Sequence, residues 1–388
     1  MAASRRLDPA AVAEQLARRW RNGHGSWLDG SGNWPLQLRL GAPTERETAH
    51  DLAGVRAWIE GWQQNRLPGE LLWTERQWPG LGRQRLPERL LLPDPEAVAG
   101  WVGEQTGWQT AWRRATQLRG DLQRADLALG RHVAWLANAP ATDFQRLRDV
   151  MRWLAAHPDS NLYIRQLPIP GVDTKWIATN RARVLDLLRQ LHGRDGDLHA
   201  LAGLRREPDL LRLRILDPAL RAAVAGLSDL SAPIADIAAL PLQPERMFIV
   251  ENLQTGLAMT DLPGSVCFMA RGYAVEAFAE IPWLIDHPCH YWGDLDTHGF
   301  GILNRLRHHL PDVQSLLMDQ ATLLAHEPLW QQEDKPSTAP LDRLTDAEQA
   351  MYQGLQTHQW GHQVRLEQER IAWPFAWSRI VNASAITS

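Results

Sequence analysis

From about residue 232 onward, the sequence alternates short apolar runs with segments of helical spacing. Four of the runs are typical of strands: 247–250 (MFIV), 266–269 (VCFM), 290–292 (HYW) and 315–318 (SLLM). Helix-like segments lie between them, at 253–259, 273–279 and 297–310. Because parallel neighbouring strands need a long crossover, usually a helix, this alternation predicts a parallel sheet with helices on its faces. The predicted fold class of residues 241–388 is therefore α/β.

Residues 1–137 have a different pattern, in which helices mix with short strands. Asp8 and Pro9 are a typical N-cap and first helical position, and they predict a helix over 9–20. Strand-like alternation is found at 34–40, 71–78 and 83–92. The longest helical stretch is predicted within 97–136, as an arm or partner-docking surface, or as a helix with a solvated face. We interpret this region as an α+β N-terminal arm domain.

The region 138–240 is predicted to be a winged-helix-like domain. Asp143 can cap a helix that runs through Leu154, the run NLYIRQL at 161–167 is a predicted strand, and 172–191 is a second helix. This second helix carries four cations, Lys175, Arg181, Arg183 and Arg189. Such modules often place a basic helix against DNA. Four cations on a solvated helix face are, however, also common in proteins that bind no nucleic acid.

The charges are distributed unevenly along the chain. The net charge is −4, from 41 Lys and Arg against 45 Asp and Glu, which excludes a uniformly basic nucleic-acid coat. Residues 1–240 carry 32 basic and 27 acidic side chains, whereas 241–388 carry 9 and 18. This asymmetry indicates a division of labour between a basic part that could hold DNA and an acidic part.

The cysteines and the hydropathy indicate a cellular compartment. Cys267 and Cys289 lie far apart and outside any Cys-x-x-Cys spacing, so neither a disulfide framework nor a thiolate zinc cluster is expected. The N-terminus lacks the apolar core of a signal peptide, and no run approaches the roughly 18 uninterrupted apolar residues that a membrane span needs. We therefore expect a soluble, cytoplasmic protein with no membrane partner.

Acidic side chains follow two of the predicted strands at the point where each ends. Glu251 comes directly after 247–250, and Asp294 and Asp296 follow the run HYWG. Ligands bind at the carboxyl ends of parallel strands, and residues two apart on an extended backbone point the same way. Clustered carboxylates repel one another unless a cation is present, and Mg²⁺ (or Mn²⁺) prefers such oxygen ligands. The pattern predicts a metal site that could activate water against a phosphodiester.

Other interpretations of these acids remain open. An acid at a strand end is often only a helix N-cap, and for Glu251 alone a structural role is the simpler interpretation. Two further acids, Glu367 and Glu369, lie in the run LEQERI near the C-terminus. They could add a metal ligand, or they could hold Arg365 or Arg370.

The sequence after the aspartates indicates phosphate chemistry. Gly299 and Gly301 would let a phosphate backbone approach the start of the helix 297–310, whose N-terminus favours anions. The run DLDT also superficially matches the aspartyl nucleophile motif of haloacid-dehalogenase-type phosphohydrolases. That motif follows the first strand of its domain, whereas here at least two strands precede it, which disfavours this class.

Four segments together resemble a known family. FIVEN at 248–252 and YWGDLDTHGFGIL at 291–303 are similar to the Toprim domain of type IIB topoisomerases and related nucleases. Together with RQLPIPGVDTKWI at 165–177 and LEQERI at 366–371, they more closely resemble the JetD family, the nuclease subunits of Wadjet plasmid-defence systems. The likeness covers about residues 140–371.

The resemblance implies a C-terminal Toprim domain preceded by a winged-helix domain, a homodimer, and cleavage of closed circular double-stranded plasmid DNA. It also implies partnership with an SMC-type ATPase complex, JetABC. Glu251 matches the Toprim glutamate and would be a metal ligand or a general acid/base, and Asp294 and Asp296 match its D-x-D and would bind Mg²⁺. The positions where the winged-helix module would track DNA phosphates are Arg165, Lys175, Arg181 and Arg183.

The chain departs from type IIB topoisomerases in its tyrosines. Those enzymes attack DNA with a winged-helix tyrosine, and Tyr163 is the only tyrosine of the predicted module. Tyr163 lies in the apolar run 161–167, where packing is the simpler role. We therefore predict a metal-dependent endonuclease that hydrolyses DNA with water. A tyrosine-dependent DNA transesterase and a non-catalytic DNA-binding adaptor are the alternatives.

Overall fold

The computed structural model describes residues 6–269, 274–285 and 287–385, and the chain divides into two compact units, Met1–Glu207 and Pro208–Ser388. The architecture is mixed α/β, and about half of the residues are helical. None of the helices in the described ranges combines the length and the apolar character that crossing a membrane requires.

The first unit is built from helices around a small antiparallel sheet. Its α-helices are α1 (Pro9–Leu28), α2 (Glu45–His50), α3 (Leu52–Gln64), α4 (Pro95–Trp101), α5 (Gln105–Asp121), α6 (Val133–Asn138), α7 (Ala141–Ala156), α8 (Thr174–His192) and α9 (Leu198–Ala202). Its strands are β1 (Leu36–Arg39), β2 (Glu70–Trp78) and β3 (Gly82–Leu92), and both β1 and β2 pair with β3. Short 3₁₀ helices lie at Gly130–His132 and Ile164–Gln166.

Helix α1 confirms the predicted start and extends beyond the predicted end. The Asp8 Oδ1 atom accepts a hydrogen bond from the Ala11 amide at 2.7 Å, and Pro9 is the first helical residue. The three predicted strands of this region are formed as β1, β2 and β3. The helical stretch predicted within 97–136 is instead broken into α4, α5 and α6. The breaks contain Gly103 and Gln123, whose φ angles of 76° and 52° a right-handed helix does not allow.

The predicted strand at 161–167 is wrong, because this segment contains the 3₁₀ helix Ile164–Gln166. Asn161 has a left-handed φ of 51°, which interrupts an extended backbone. Its amide donates to the Gly203 carbonyl at 2.8 Å, and the Leu162 carbonyl accepts from the Arg205 amide at 2.9 Å. These bonds tie the segment to the end of α9 and replace the ladder of a strand.

Both helices predicted for the region 138–240 are formed. Helix α7 begins at Ala141, so Asp143 lies in its first turn and is not the N-cap. Helix α8 begins after Asp173, whose side chain accepts from the Trp176 amide at 2.7 Å, and ends at Gly193 with a left-handed φ of 62°. A stripe of buried side chains holds α8 against the unit: Trp176, Ile177, Val184, Leu187 and Leu188.

The second unit contains a six-stranded sheet and a separate two-stranded one. The larger sheet comprises β4 (Leu210–Ile215), β5 (Asp229–Pro233), β6 (Arg246–Val250), β7 (Ser265–Met269), β8 (Cys289–Trp292) and β9 (Gln314–Ser315), and the smaller one pairs β10 (Gln331–Gln332) with β11 (Val364–Arg365). The α-helices are α10 (Ile234–Ala238), α11 (Leu253–Ala258), α12 (Thr297–Arg307), α13 (Gln320–Ala325), α14 (Asp346–Gln356) and α15 (Trp373–Ala385). The 3₁₀ helices are Leu220–Val224, Ala274–Glu280, Pro282–Leu284, Glu327–Leu329 and Gln368–Arg370.

The large sheet is mixed, which corrects the prediction of a parallel sheet. Its strand order is β5-β4-β7-β6-β8-β9, and the four strands from β7 to β9 are parallel as predicted. Strand β4 runs antiparallel to both β5 and β7. Both β4 and β5 precede the predicted domain boundary at residue 240. In β4, the run LLRLRI alternates apolar residues with arginines, and the apolar residues Leu211, Leu213 and Ile215 are the buried ones. This alternation is the sequence signal of a strand.

The centre of the sheet explains why the strand positions are visible in the sequence. Strands β6, β7 and β8 are buried along their whole length, since helices or loops cover both faces, so their sequences are apolar runs. The predicted strand 315–318 is shorter than expected, because β9 ends at Ser315 and Leu317 has a left-handed φ of 60°. Cys267 and Cys289 are both buried and free.

Candidate functional site

The predicted acids meet at the carboxyl edge of the parallel strands. Strands β6 and β8 are neighbours, with Val250 opposite Trp292, so the residues that follow them lie side by side. The Glu251 amide donates to the Trp292 carbonyl at 3.4 Å, where β6 ends. The loop that begins at Gly293 then carries the two aspartates past this point. This is the edge of an α/β sheet at which ligands bind.

Glu251 is held by a tyrosine from the neighbouring strand. The Tyr291 hydroxyl donates to Glu251 Oε1. The pKa of Glu251 is raised to about 7, first by burial and then by the carboxylates of Asp294 and Asp296, against the opposing effects of the Tyr291 hydrogen bond and Arg365. Glu251 therefore exchanges a proton near neutral pH, which an ordinary glutamate does not.

Asp296 has both a structural and an electrostatic role. It is the N-cap of α12, and its Oδ1 atom accepts from the Gly299 amide at 2.7 Å. Only 4% of the residue is exposed. Burial raises the pKa of Asp296 to about 6, with further contributions from the carboxylates of Glu333 and Asp294. The N-cap interpretation thus describes one oxygen of Asp296, and the other oxygen faces the Arg365 guanidinium.

Asp294 is engaged by a segment that returns from the C-terminal end of the chain. Its Oδ1 atom accepts from the Gln368 amide at 2.8 Å, and its Oδ2 atom accepts from Arg365 Nη2 at 2.5 Å. Leu295 and Leu366 form an antiparallel bridge that aligns the two segments. The aspartate loop and the returning segment, about 70 residues apart in the chain, therefore form this part of the site together.

The returning segment is anchored to both strand ends. The Gln368 side chain donates to the Trp292 carbonyl at 2.7 Å and accepts from the Asn252 amide at 3.0 Å. Glu369 accepts a hydrogen bond from the Asn252 side chain. Glu367 lies between two arginines, with an oxygen 3.4 Å from Arg365 Nη1 and another 3.4 Å from Arg370 Nε. Of the two roles considered for Glu367, this geometry corresponds to holding the arginines.

Arg365 is the cation of the cluster. Its guanidinium contacts three carboxylates: Nη2 bonds Asp294, Nε lies 2.9 Å from Asp296 Oδ2, and Nη1 lies 3.4 Å from Glu367. The Nε atom is buried, and within the described residues it has no acceptor in hydrogen-bonding geometry. The single positive charge of Arg365 thus offsets the negative charges of three carboxylates.

The donor set has the chemistry that a hard divalent cation requires. Glu251, Asp294 and Asp296 offer carboxylate oxygens. The pKa values of Glu251 and Asp296 are raised first by burial and then by neighbouring carboxylates, whose repulsion a cation would reduce. Within residues 6–269, 274–285 and 287–385, however, no three side chains already form a metal shell. These residues could hold a cation only with some rearrangement, and Arg365 stands among them.

Two glycines keep the site compact. A Cβ atom at Gly293 would overlap the Glu251 carboxylate and the Tyr291 hydroxyl, and a Cβ atom at Gly299 would overlap the Asp294 carbonyl oxygen. A Cβ atom at Gly301 would instead meet open space. Gly299 is therefore needed for the close approach of α12 to the aspartate loop, whereas Gly301 is not.

Comparison with protein families identifies the chain. Residues 203–380 match the family model described as Wadjet protein JetD, C-terminal, and this match includes every acidic residue of the site. Residues 9–189 match a model for the N-terminal part of an uncharacterised protein conserved in bacteria (DUF3322). The chain belongs to the Wadjet JetD family. Membership implies a role in the Wadjet defence system, a multi-subunit complex. No curated protein matches the chain.

Several residues of this JetD-family site were not predicted from the sequence. Tyr291 and Gln368 reach it only through strand pairing and through the return of the C-terminal segment. Glu333 lies in a polar, proline-containing segment that predicts a surface loop, yet it is 4% exposed. Its Oε1 atom accepts from Thr297 Oγ1 at 2.5 Å, directly beside Asp296. The position of Tyr291 two residues before the aspartate loop is the one local signal that could have been used.

The basic residues predicted for DNA binding lie in the first unit and differ in their surroundings. Arg165, Lys175 and Arg181 are exposed, and no acidic partner is found for them within the described part of the chain. Arg183 instead turns inward. Its guanidinium lies 4.0 Å from the centre of the Trp135 ring and donates to Asn180 Oδ1 at 2.5 Å, and burial lowers its pKa. The first three side chains are accessible to a phosphate backbone, and Arg183 is committed to packing.

Proposed function

We propose that this chain is the metal-dependent endonuclease of a Wadjet system, and that it cleaves closed circular double-stranded plasmid DNA with an activated water. The observation that carries the proposal is the convergence of Glu251, Asp294 and Asp296 at the carboxyl edge of a parallel sheet, in a chain that belongs to the JetD family. Burial of several carboxylates at one place is costly unless a cation balances them.

The proposed fold of residues 241–388 is a Toprim domain. It is supported by four parallel strands in which a glutamate follows β6 and a D-x-D follows β8. The proposed winged-helix module is supported more weakly, by α7, α8 and α9 and by the exposed cations. Its predicted strand at 161–167 is absent, and β4 and β5 pair with the large sheet.

The side chains of the site suit hydrolysis by water. Mg²⁺ or Mn²⁺, when bound, polarises a phosphodiester and makes its bound water more acidic. Asp294 and Asp296 offer the oxygen ligands. Glu251, with a pKa of about 7, can accept the proton that an attacking water loses. Tyr291 orients this carboxylate by binding one oxygen, which leaves the other for the proton or the cation.

A tyrosine-dependent transesterase is the second candidate. Packing within a strand is the argument against a catalytic Tyr163, and the segment that contains Tyr163 does not form a strand. Tyr163 is half-buried, and the Arg205 guanidinium lies 5.1 Å from its ring centre. A tyrosine hydroxyl is the nucleophile that such a transesterase uses, and packing does not bury Tyr163 completely. Protein covalently attached to DNA ends, and lost in Tyr163→Phe, would establish this candidate over hydrolysis.

The proposed partners are double-stranded DNA, the SMC-type JetABC complex and a second copy of the chain. The cations proposed to follow DNA phosphates are Arg165, Lys175 and Arg181, since Arg183 is engaged internally. If the acids only stabilise the fold, the chain would be a DNA-binding adaptor, and metal would not affect the DNA.

The decisive experiment incubates supercoiled plasmid and Mg²⁺ or Mn²⁺ with the purified chain, with and without JetABC. We expect cleavage by the complete system and a loss of at least ~1,000-fold in Glu251→Gln and Asp294→Asn. Asp312→Asn is the control, because Asp312 is exposed on the same unit away from the cluster. Cleavage that persists in both site variants, or that does not occur in the complete system, would refute a nuclease centred on these acids.

A further inference from the structure

The Arg365 guanidinium lies among the carboxylates of the acidic site. Its three nitrogen atoms face three different carboxylates, those of Asp294, Asp296 and Glu367, at 2.5 Å, 2.9 Å and 3.4 Å. Its side chain is 33% exposed, and that of Asp296 is 6% exposed. A guanidinium in such surroundings makes strong charge-assisted contacts.

The backbone that carries Arg365 is held by few hydrogen bonds. Arg365 ends β11, a strand of two residues that pairs with the two residues of β10 and with no other strand in the described ranges. The next residues make the bridge between Leu295 and Leu366 and the bond from the Gln368 amide to Asp294 Oδ1. Short pairings of this kind open at low free-energy cost compared with the buried centre of the sheet.

We propose that Arg365 is an internal counter-ion that occupies the cation position, and that it withdraws from Asp294 and Asp296 when a divalent cation binds them. This inference deepens the proposed function and rests on it. In the absence of a cation, the Arg365 guanidinium occupies the space between the two aspartates and offsets their negative charge. Cation binding is thereby coupled to movement of the segment 364–368.

Arg365 and a divalent cation cannot bind the same carboxylate oxygens at the same time. Asp294 Oδ2 already bonds Arg365 and Asp294 Oδ1 bonds the Gln368 amide, so this carboxylate has no oxygen free of the segment. Asp296 has one oxygen on the cap of α12 and the other facing Arg365 Nε. A cation that takes Asp294 and Asp296 oxygens together would lie close to the guanidinium, and the two positive charges would repel.

The direct test measures Mn²⁺ affinity by calorimetry on the full chain without DNA. Arg365→Gln should bind Mn²⁺ at least ~10-fold more tightly than the native chain, because the competing charge is removed. Arg370→Gln is the matched control, since Arg370 lies on the same segment and pairs with Glu367 but not with the aspartates. Equal affinity in the native chain and Arg365→Gln would overturn the proposal.

A second measurement needs no variant. Hydrogen exchange of the native chain should show that Mn²⁺ speeds exchange of the Leu366 and Gln368 amides by about tenfold or more, while the amides of β7 stay unchanged. Unaltered or slower exchange at Leu366 and Gln368 with bound Mn²⁺ would contradict withdrawal of the segment, even if Arg365→Gln failed to fold.

The outcomes separate this inference from the proposed function. If Mn²⁺ binds the native chain, and Asp294→Asn abolishes binding, the metal site stands whatever Arg365→Gln does. If Arg365→Gln then leaves the affinity unchanged, only the counter-ion role fails. If neither the native chain nor Arg365→Gln binds Mn²⁺, both the metal site and the counter-ion role fail.

Discussion

The two charged regions of this chain handle their charges in opposite ways. The acidic site of the second unit holds its carboxylates partly or fully away from solvent, hydrogen-bonds several of their oxygens and supplies an internal arginine. Helix α8 of the first unit exposes Lys175 and Arg181 to solvent without an acidic partner in the described ranges. Arg183 is closer to the first case, since it stacks on Trp135.

This difference indicates which effects each region can produce. A buried charge changes stability and proton affinity, because it has lost its hydration. An exposed charge changes long-range attraction, which salt screens. Substitutions in the acidic site should therefore alter stability and its pH dependence, and substitutions on α8 should alter salt-dependent DNA binding and little else.

The largest expected effect is on the pH dependence of stability, and it concerns Glu251. Its pKa of about 7 in the folded chain lies above the ordinary 4.5, so between these values the folded state holds a proton that the unfolded state has released. Stability from this group is thus present below pH 4.5 and is lost as the pH rises to 7, by at most about 3 kcal/mol. Glu251→Gln removes this loss.

Denaturant unfolding of the native chain and Glu251→Gln at pH 5 and pH 7.5, without divalent cations, measures this effect. The variant should gain stability relative to the native chain as the pH rises. Asp296 titrates in both proteins, so the difference between them reports Glu251 together with its coupling to Asp296. A stability difference that does not vary with pH would mean that Glu251 is not buried among like charges, and would place the acidic site closer to α8 in character.

The next effect tests the close packing of the acidic site. Gly299→Ala should destabilise the chain by about 2 kcal/mol or more, because the added Cβ atom meets the Asp294 carbonyl oxygen. Gly301→Ala, two residues later in α12, should stabilise it by about 0.5–1 kcal/mol, since alanine favours the helix and the space is open. Thermal unfolding measures both. Equal effects would contradict the close contact at Gly299.

The parts of this site that could be predicted from the sequence are those with a local pattern. The apolar runs of β6 and β8 are visible because both faces of these strands are buried, and the acids follow directly after them. Arg365 and Gln368 join the site through a return of the chain over about 70 residues, and no local period encodes this return. Glu333 is similar, because its segment is polar and mostly exposed, and yet its own side chain is buried against Thr297 at the start of α12.

Contacts between residues that are distant in the chain are also the part of the fold and of α8 that the sequence does not predict. Strands β4 and β5 belong to the large sheet, but β4 and most of β5 precede the alternation of strands and helices from which the sheet was predicted. On α8, the helical period predicts which residues are cationic but not which of them meets an aromatic side chain from another helix. The inward turn of Arg183 depends on Trp135, 48 positions earlier, and tertiary packing decides it.

A smaller effect distinguishes Tyr291, whose hydroxyl binds a carboxylate of the acidic site, from a tyrosine whose hydroxyl has a structural role alone. Tyr291→Phe should lower stability by about 1–2 kcal/mol and slow plasmid cleavage by about 10-fold or more, because Glu251 loses its hydroxyl donor. Tyr352→Phe is the control, because this hydroxyl donates to the Ala339 carbonyl at 2.8 Å. It should lose similar stability and keep full cleavage. Slowed cleavage in both variants would indicate a general effect of destabilisation.

The smallest expected effect, about tenfold in DNA affinity, tests the exposed cations of α8. Lys175→Glu with Arg181→Glu should weaken binding of double-stranded DNA and reduce the salt slope of the logarithm of affinity by about 2, one for each lost phosphate contact. Arg183→Gln should leave that slope unchanged and lower stability, since its guanidinium packs on Trp135. Fluorescence anisotropy over a salt series measures the slopes. If Arg183→Gln reduced the slope as much as one exposed cation does, α8 would use all its cations alike and burial would not separate them.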